Sequence, residues 1–372
     1  MKTIAISLNT TWNIFNFRLG LIKALQQEGY KVVAIAPKDE YVDRLEEEKV
    51  SCYHIDINNK GTNPIEELKL IYNYIKLYKS INPDVILSYT IKPNIYGSIA
   101  AGILNIPAIS NISGLGTVFL NDNISSKIAR NLYKIGLRFP KKVFFQNSDD
   151  RDLFIKYKLV DLQKTDLLPG SGIDTTKFVP VKIKRDDNKI KFLMIARLVG
   201  DKGLYEYLDA AKILKHTYTN TEFLLLGAFY PGNPTAITQE GLQKWIDKDI
   251  INYLGVSDNV KDEIAKVDCV VLPSYREGLS RVLLEAGSMA KPIVTTDTAG
   301  CRDIVTDGVN GYLCKVKDAN SLASAMEKII NLDTKDRVKM GSLGREKIVN
   351  EFDESIVIDK YIKAMKDIFL QV

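Results

Sequence analysis

Short apolar runs alternate with amphipathic stretches along this chain, and the alternation restarts once near its middle. In the first half, residues 3–8, 31–36, 85–88, 108–112 and 143–146 form apolar runs bounded by polar, Gly or Pro positions. Such runs read as strands buried on both faces of a parallel sheet. Between them, residues 19–27, 64–80 and 96–104 carry apolar side chains at three- and four-residue steps, the period of a helix packed on one face. A polar, lysine-rich join covers residues 181–189, and the pattern then begins again. Strands are predicted at 191–196, 222–226, 252–253, 267–272 and 292–296, with helices at 203–214, 261–265, 280–290 and 321–331. A last periodic stretch spans 355–370. Two successive runs of alternating strand and helix predict an α/β protein with two doubly wound, Rossmann-like domains.

The most informative stretch is 267–286, V-D-C-V-V-L-P-S-Y-R-E-G-L-S-R-V-L-L-E-A. The apolar run ends at Pro273-Ser274, and a Glu-Gly turn opens a helix whose inner side carries Leu279, Val282, Leu283 and Ala286. Glu277 falls in the turn, and Glu285 lies eight residues later, about two turns or ~12 Å deeper. An open α/β sheet takes its ligands where a strand's carboxyl end feeds a helix. Amides of Gly278, Leu279 and Ser280 at that helix start favour an anion such as a diphosphate. Two carboxylates beside an anion fit only if they serve its sugar hydroxyls, so the pattern points to a nucleotide-sugar pocket. Arg197 and Lys202 follow another strand, with Gly200 and Gly203 allowing a tight turn. Two cations there suit a diphosphate that gains charge as a glycosidic bond breaks.

These residues carry a family resemblance. The spacing Glu277-x7-Glu285, preceded by L-P-S and followed by A-G-S-M-A-K-P-I-V-T-T-D, resembles the donor site of glycosyltransferase family 4. The segments F-L-M-I-A-R-L-V-G-D-K-G, G-C-R-D and D-G-x-N-G are similar as well. In the first half, N-F-R-L-G-L-I-K-A-L and K-P-N-I-Y-G resemble a bacterial subgroup that extends lipid-diphosphate-linked sugars. The resemblance implies the GT-B fold: two Rossmann-like domains facing across a cleft, with the C-terminal helix crossing back to the first. It places an acceptor domain at residues 1–175 plus 355–372 and a donor domain at 176–354. It further implies a retaining transferase that needs no metal. Arg197 and Lys202 would stabilise the leaving diphosphate, Glu277 would sit near the transferred sugar, and Glu285 would hold the ribose. Gly255 would meet the base, expected to be uracil. N-acetylgalactosamine is the expected sugar, and a polyprenyl-diphosphate-linked saccharide of a glycoprotein, capsule or O-antigen the expected acceptor. Arg18 and Lys92 are candidate contacts to the acceptor diphosphate. The alternatives are a UDP-sugar 2-epimerase of the same architecture and a family 4 transferase with another hexose or N-acetylhexosamine donor.

The chain departs from the family pattern in two places. Asn9-Thr10-Thr11-Trp12 stands where many relatives have a Gly-Gly pair, and Ser113, in S-G-L-G, where many carry a His. With two His in the chain, His54 and His216, a His general base is not expected. Asp247-Lys248-Asp249 is a literal D-x-D, but it lies in a polar stretch rather than at a strand end and is read as coincidental, like Asp149-Asp150 and Asp186-Asp187.

Composition adds location and partners. No apolar run approaches the ~20 residues of a membrane span, and four Cys without a C-x-x-C argue against a disulfide framework or zinc site. The expected place is therefore cytoplasmic. Residues 1–180 hold 23 Lys/Arg against 18 Asp/Glu, a balance of +5, whereas 181–372 hold 28 against 28. Between Asp122 and Asp149 there is no acid, while Arg130, Lys134, Arg138, Lys141 and Lys142 fall there with Lys127. Set beside Ile128, Leu132, Ile135 and Leu137, they predict a basic amphipathic helix that docks on the anionic inner face of the cytoplasmic membrane. Nucleic acid is not expected, because no recognised module accompanies the charge. No G-x-G-x-x-G follows the first strand of either half, which argues against a dinucleotide oxidoreductase.

Overall fold

The computed structural model of the chain describes residues 1–59, 61, 63–115, 124–183 and 187–370. Gly116, Asp122 and Asp186, named above, lie outside the described residues, as does part of the 181–189 join. The chain divides into two compact units, Met1–Ser171 with Glu354–Val372, and Gly172–Asp353. The expected division stood at 175 and 354.

The N-terminal unit alternates β1 (Thr3–Ser7), α1 (Thr11–Gln27), β2 (Lys31–Ala36), α2 (Val42–Glu47), β3 (Ser51–His54), α3 (Pro64–Ile81) and β4 (Val85–Tyr89). It continues with α4 (Ser98–Ile103), β5 (Ala108–Ile112), α5 (Ile124–Gly136), β6 (Lys142–Phe145), α6 (Ser148–Lys156) and β7 (Thr165–Leu167). Its parallel sheet has the order β3-β2-β1-β4-β5-β6-β7. The second unit runs β8 (Ile190–Ile195), α7 (Leu204–Thr217), β9 (Thr221–Leu226), α8 (Gln239–Ile246), β10 (Asn252–Tyr253), α9 (Val260–Ala265) and β11 (Cys269–Leu272). Then follow α10 (Arg281–Ser288), β12 (Ile293–Thr296), β13 (Gly311–Cys314), α11 (Ala319–Asn331) and α12 (Thr334–Phe352). Its order is β10-β9-β8-β11-β12-β13, again parallel. The last helix, α13 (Glu354–Leu370), packs in the N-terminal unit through Val357, Tyr361, Met365 and Ile368, all buried. In each sheet the chain builds outward to one side and then reverses, between β1 and β4 in the first and between β8 and β11 in the second.

Strand periodicity splits the N-terminal core in two. Ile4 and Ile6 face the side covered by α1 and α13, while Ala5 packs on the other side with α3 and α4 residues such as Tyr74, Tyr78 and Ala100. Where a hydrophobic pattern fails to show an element or its full length, the local reason differs. The buried positions of α1 are Thr11, Ile14, Arg18, Leu21, Ile22 and Leu25, so Thr11 and Arg18 hide its first two turns from a hydrophobic pattern, and the helix starts eight residues before residue 19. Helix α12 packs partly through Gly341 and Gly344. Strand β3 is a half-exposed edge.

Candidate active site

The expected donor residues follow three strands at the carboxyl edge of the C-terminal sheet: Arg197 and Lys202 follow β8, Gly255 follows β10, and Glu277 to Glu285 follow β11. Lys202 follows β8 and Glu277 follows β11, so the loops at the β8/β11 reversal bring a cation and a carboxylate together, and Lys202 Nζ donates to Glu277 Oε1. Two glycines make this close approach possible. Gly203 has a φ of +75°, and a Cβ there would lie 2.1 Å from the Pro273 carbonyl oxygen. Gly300, at φ +74°, would place a Cβ 2.5 Å from the Glu277 carbonyl oxygen. The loop after β12 therefore lies directly on the Glu277 turn. Glu277 donates its amide to Ala299 O at 3.1 Å, and Ser280 donates its own to Gly300 O at 3.0 Å. This corrects the expectation for Ser280: its amide is bonded to the neighbouring loop and does not face an anion.

Glu285 lies in α10 beneath the turn, and Arg281 one turn earlier donates from Nε to Glu285 Oε1 at 3.2 Å. Burial raises the Glu285 pKa above the usual carboxylate value, while Arg281, and then Lys177, pull it back down. Arg281 also donates to the Gly172 carbonyl at 3.3 Å. It is the site residue that the sequence reading missed, although its place four residues before Glu285 is the spacing of a helical ion pair. Arg197 is exposed after β8, its guanidinium 4.8 Å from the Tyr230 ring centroid in the loop after β9. Gly255 follows β10 at φ +76°, with open space where a Cβ would stand, and its carbonyl accepts from Gly227 N at 2.8 Å. Arg197, Lys202, Gly255, Gly278, Leu279 and Glu285 are thus distributed over the loops of one sheet edge. Lys202 reaches Glu277, Arg281 reaches Glu285, and Arg197 stands apart on Tyr230.

Comparison with known proteins bears on the family and the fold. Residues 176–347 match the family described as Glycosyl transferases group 1, and residues 4–147 match Glycosyl transferase 4-like. The chain is a glycosyltransferase. It is 27% identical, over 94% of its length and 95% of the relative's, to the N,N'-diacetylbacillosaminyl-diphospho-undecaprenol alpha-1,3-N-acetylgalactosaminyltransferase of Campylobacter jejuni. It is 24% identical, over 90% of its length and 87% of the relative's, to the UDP-Gal:alpha-D-GlcNAc-diphosphoundecaprenol alpha-1,3-galactosyltransferase of Escherichia coli. Among solved structures, Anabaena HepE in complex with UDP superposes with a TM-score of 0.79 at 18% identity, over 99% of this chain and 100% of that one. The fold class is GT-B, as the sequence implied.

The transferase's N-terminal unit departs further from expectation. The segment Asn9-Thr10-Thr11-Trp12, which stands where many relatives have a Gly-Gly pair, is already helix from Thr11, with the Thr10 hydroxyl accepting from Asn13 N. Asp39 sits on this helix start, accepting from the Thr11 hydroxyl and from Trp12 N at 3.0 Å. Burial acts to raise the Asp39 pKa, but hydrogen bonds from Thr11, Trp12 and Tyr41 outweigh it and hold the carboxyl below its usual value. A carboxylate thus occupies the end of α1 where a phosphate could have bound. Lys92, expected at an acceptor diphosphate, is instead neutralised by Glu67 and donates to Gly61 O at 2.9 Å. Arg18 is buried, its guanidinium 4.3 Å over the Tyr89 ring. Ser113 donates to Asn111 Oδ1 at 3.3 Å. On the basic segment, Arg130 lies 4.5 Å over Tyr157 and Lys142 is 3.8 Å from Asp166, whereas Lys134, Arg138 and Lys141 are exposed. Asp247 accepts from Gln243, and Asp249 pairs with Lys215 at 2.8 Å, each an exposed contact with its own partner.

Proposed function

We propose that this transferase moves a sugar from a UDP-sugar to a polyprenyl-diphosphate-linked saccharide with retention of configuration. N-acetylgalactosamine is the sugar we favour, since the Campylobacter relative aligned over nearly the whole chain carries that name. The observation that carries the reading is the Lys202–Glu277 pair at the β8/β11 reversal, with Arg197 on the same loop and Glu285 beneath. Without donor, Glu277 neutralises Lys202. A diphosphate entering the edge competes for that ammonium, and Lys202 then faces the oxygen that gains charge as the anomeric carbon–oxygen bond breaks. Arg197, not paired with a carboxylate in the described contacts, adds a second cation for the diphosphate. Glu277, released from Lys202, is left to orient a sugar hydroxyl or to steady positive charge at the anomeric carbon. Glu285 accepts hydrogen bonds from the ribose hydroxyls. The acceptor hydroxyl attacks from the leaving-group side, and its proton passes to a donor phosphate oxygen, so neither a protein base nor a metal is called for.

The outer face of the N-terminal unit supports action at an anionic membrane. Ile128, Ile135 and Phe139 are exposed on and just after α5, beside exposed Lys127, Lys134, Arg138 and Lys141. A second stripe on α3, Ile65, Leu68 and Tyr72, is exposed with Lys69 and Lys76. Apolar side chains that enter the headgroup boundary, ringed by lysines, are the chemistry of interfacial binding. No helix of the described residues is long and apolar enough to cross the bilayer.

One experiment tests both parts: UDP release from a panel of UDP-sugars, in EDTA, with a prenyl-diphosphate-linked sugar in neutral or anionic vesicles. We expect acceptor-dependent release from one donor, faster in anionic vesicles. Release that needs manganese would remove the metal-free step, and equal rates in both vesicles would remove the membrane face.

A further inference from the structure

Arg197 and Lys202 follow the same strand, β8, but are held in different ways. Lys202 is paired with Glu277, whereas among the described contacts Arg197 rests on one side chain, the ring of Tyr230, whose centroid lies 4.8 Å from its guanidinium carbon. Arg197 is exposed and so is Tyr230, so the contact lies open at the carboxyl edge of the sheet.

The backbone explains why Tyr230 stands there. The loop between β9 and α8 is fastened along the Arg197 turn from one end to the other. It begins at Gly227, where a Cβ would strike the Ala196 carbonyl oxygen. Leu198 donates its amide to Ala228 O at 3.0 Å, and its carbonyl accepts from Ile237 N at 3.2 Å. Val199 forms an antiparallel bridge with Ala236, and Gly200 N donates to Thr235 O at 2.8 Å and to Thr235 Oγ1 at 3.1 Å. Asn233 Oδ1 accepts from the amide and the hydroxyl of Thr235, at 2.8 and 2.9 Å, and Asn233 N donates to the Tyr230 carbonyl at 3.2 Å. Tyr230 is therefore carried by a loop that is bonded to the turn after Arg197, and the ring and the guanidinium keep a fixed relation.

An exposed arginine loses rotamer freedom when it grips a ligand, and that loss opposes binding. A ring against its flat face restricts the side chain beforehand. Such a contact uses the face of the guanidinium and leaves the N–H groups around its rim, which suit two oxygens of a phosphate.

We propose that Tyr230 is a positioning residue for the donor diphosphate, holding Arg197 by its face so that the N–H fork is presented to phosphate oxygens. This rests on the donor reading of Arg197 given above and adds the residue that sets that cation's geometry. Tyr230 acts through Arg197 and not on the nucleoside.

The test compares binding of UDP, by calorimetric titration of the full chain, with binding of uridine, which has no phosphate, by ligand-observed NMR. The proteins are wild type, Tyr230→Ala, Tyr230→Phe, Arg197→Ala and the double variant Tyr230→Ala/Arg197→Ala. We expect Arg197→Ala to weaken UDP at least about tenfold and to leave uridine unchanged. Tyr230→Ala should weaken UDP about fivefold, again with uridine unchanged, and Tyr230→Phe, which keeps the ring, should stay within about twofold of wild type. Once Arg197 is gone, Tyr230→Ala should cost less than about a further twofold, because the two side chains act as one unit. Unchanged UDP affinity in Tyr230→Ala, a Phe variant as weak as the Ala variant, or effects that multiply in the double variant would each overturn the proposal. Equal losses of UDP and uridine overturn it too, since Tyr230 would then meet the nucleoside or merely shape the loop. Should Tyr230→Ala fail to fold, Tyr230→Leu keeps the bulk without the aromatic face and carries the same expectations. Unchanged UDP affinity in Arg197→Ala removes the donor reading of Arg197 and this inference with it. A loss in Arg197→Ala with none in Tyr230→Ala removes this inference alone.

Discussion

At the β8/β11 reversal Lys202 meets Glu277, and in α10 below it Arg281 meets Glu285. At the β1/β4 reversal, built on the same kind of strand order, Arg18 meets an aromatic ring and a main-chain carbonyl, and the helix end beside it is closed by Asp39. The first edge pairs Lys202 and Arg281 with carboxylates and leaves Arg197 over Tyr230, and the second holds a buried cation with no carboxylate among the described residues on it. In the first, Glu277 and Glu285 are each held by a neighbouring cation, and a ligand must exchange places with an existing partner. That arrangement costs little stability when empty and suits a nucleotide with both phosphates and a diol. In the second, the guanidinium of Arg18 meets only an aromatic face and a main-chain carbonyl among the described contacts.

The comparison can be broken most sharply at Lys202. Lys202→Ala removes a cation and leaves Glu277 facing any incoming diphosphate, so turnover in the UDP-release assay should fall by roughly 10²- to 10³-fold. A change of less than about threefold would mean that the pair does not serve the leaving group. A smaller effect is expected at Arg281. Burial already raises the Glu285 pKa, and removing its first partner in Arg281→Gln raises it further. Because protonation removes the acceptor for the ribose, activity is lost as pH falls, and the acidic limb of kcat/KM should move to higher pH. The loss should grow toward acid and be small at neutral pH, with Arg281→Lys restoring much of it. A profile that does not move would leave Arg281 as a tie to Gly172 only. The smallest effect concerns the N-terminal edge. Asp39→Ala opens the start of α1 and should lower unfolding free energy by about 1 kcal/mol near neutrality. Since the Asp39 carboxyl is depressed below its usual value, its contribution is present above that usual value and disappears as pH falls through the depressed one. Denaturant titrations of wild type and variant should therefore converge in acid, with UDP affinity unchanged at neutral pH.

Much of the fold was legible because buried parallel strands are short apolar runs, and ten of the thirteen strands among the described residues were expected from the alternating pattern. The strands that escaped, β3, β7 and β13, are half-buried and alternate too little to register. The spacing of Glu277 and Glu285 was legible because it is local, set by one turn and one helix. The pairing of Lys92 was not legible for the opposite reason. Its partner, Glu67, is 25 residues away and becomes a neighbour only when α3 packs beside the segment after β4. Arg281 was missed although its pairing is local, since an arginine at a helix start usually reads as solvent-facing.

Sequence by itself determined the two doubly wound units, the membership in a transferase family and the strand ends that carry its charges, because strand burial and strand–turn–helix spacing are short-range properties of the chain. Tertiary structure decided which charges are already compensated. It set Glu277 against Lys202, Asp39 on α1 and Glu67 on Lys92, and it left Arg18 in the core without a carboxylate. Compensation depends on which distant segments converge on a buried point, and no short-range pattern encodes that.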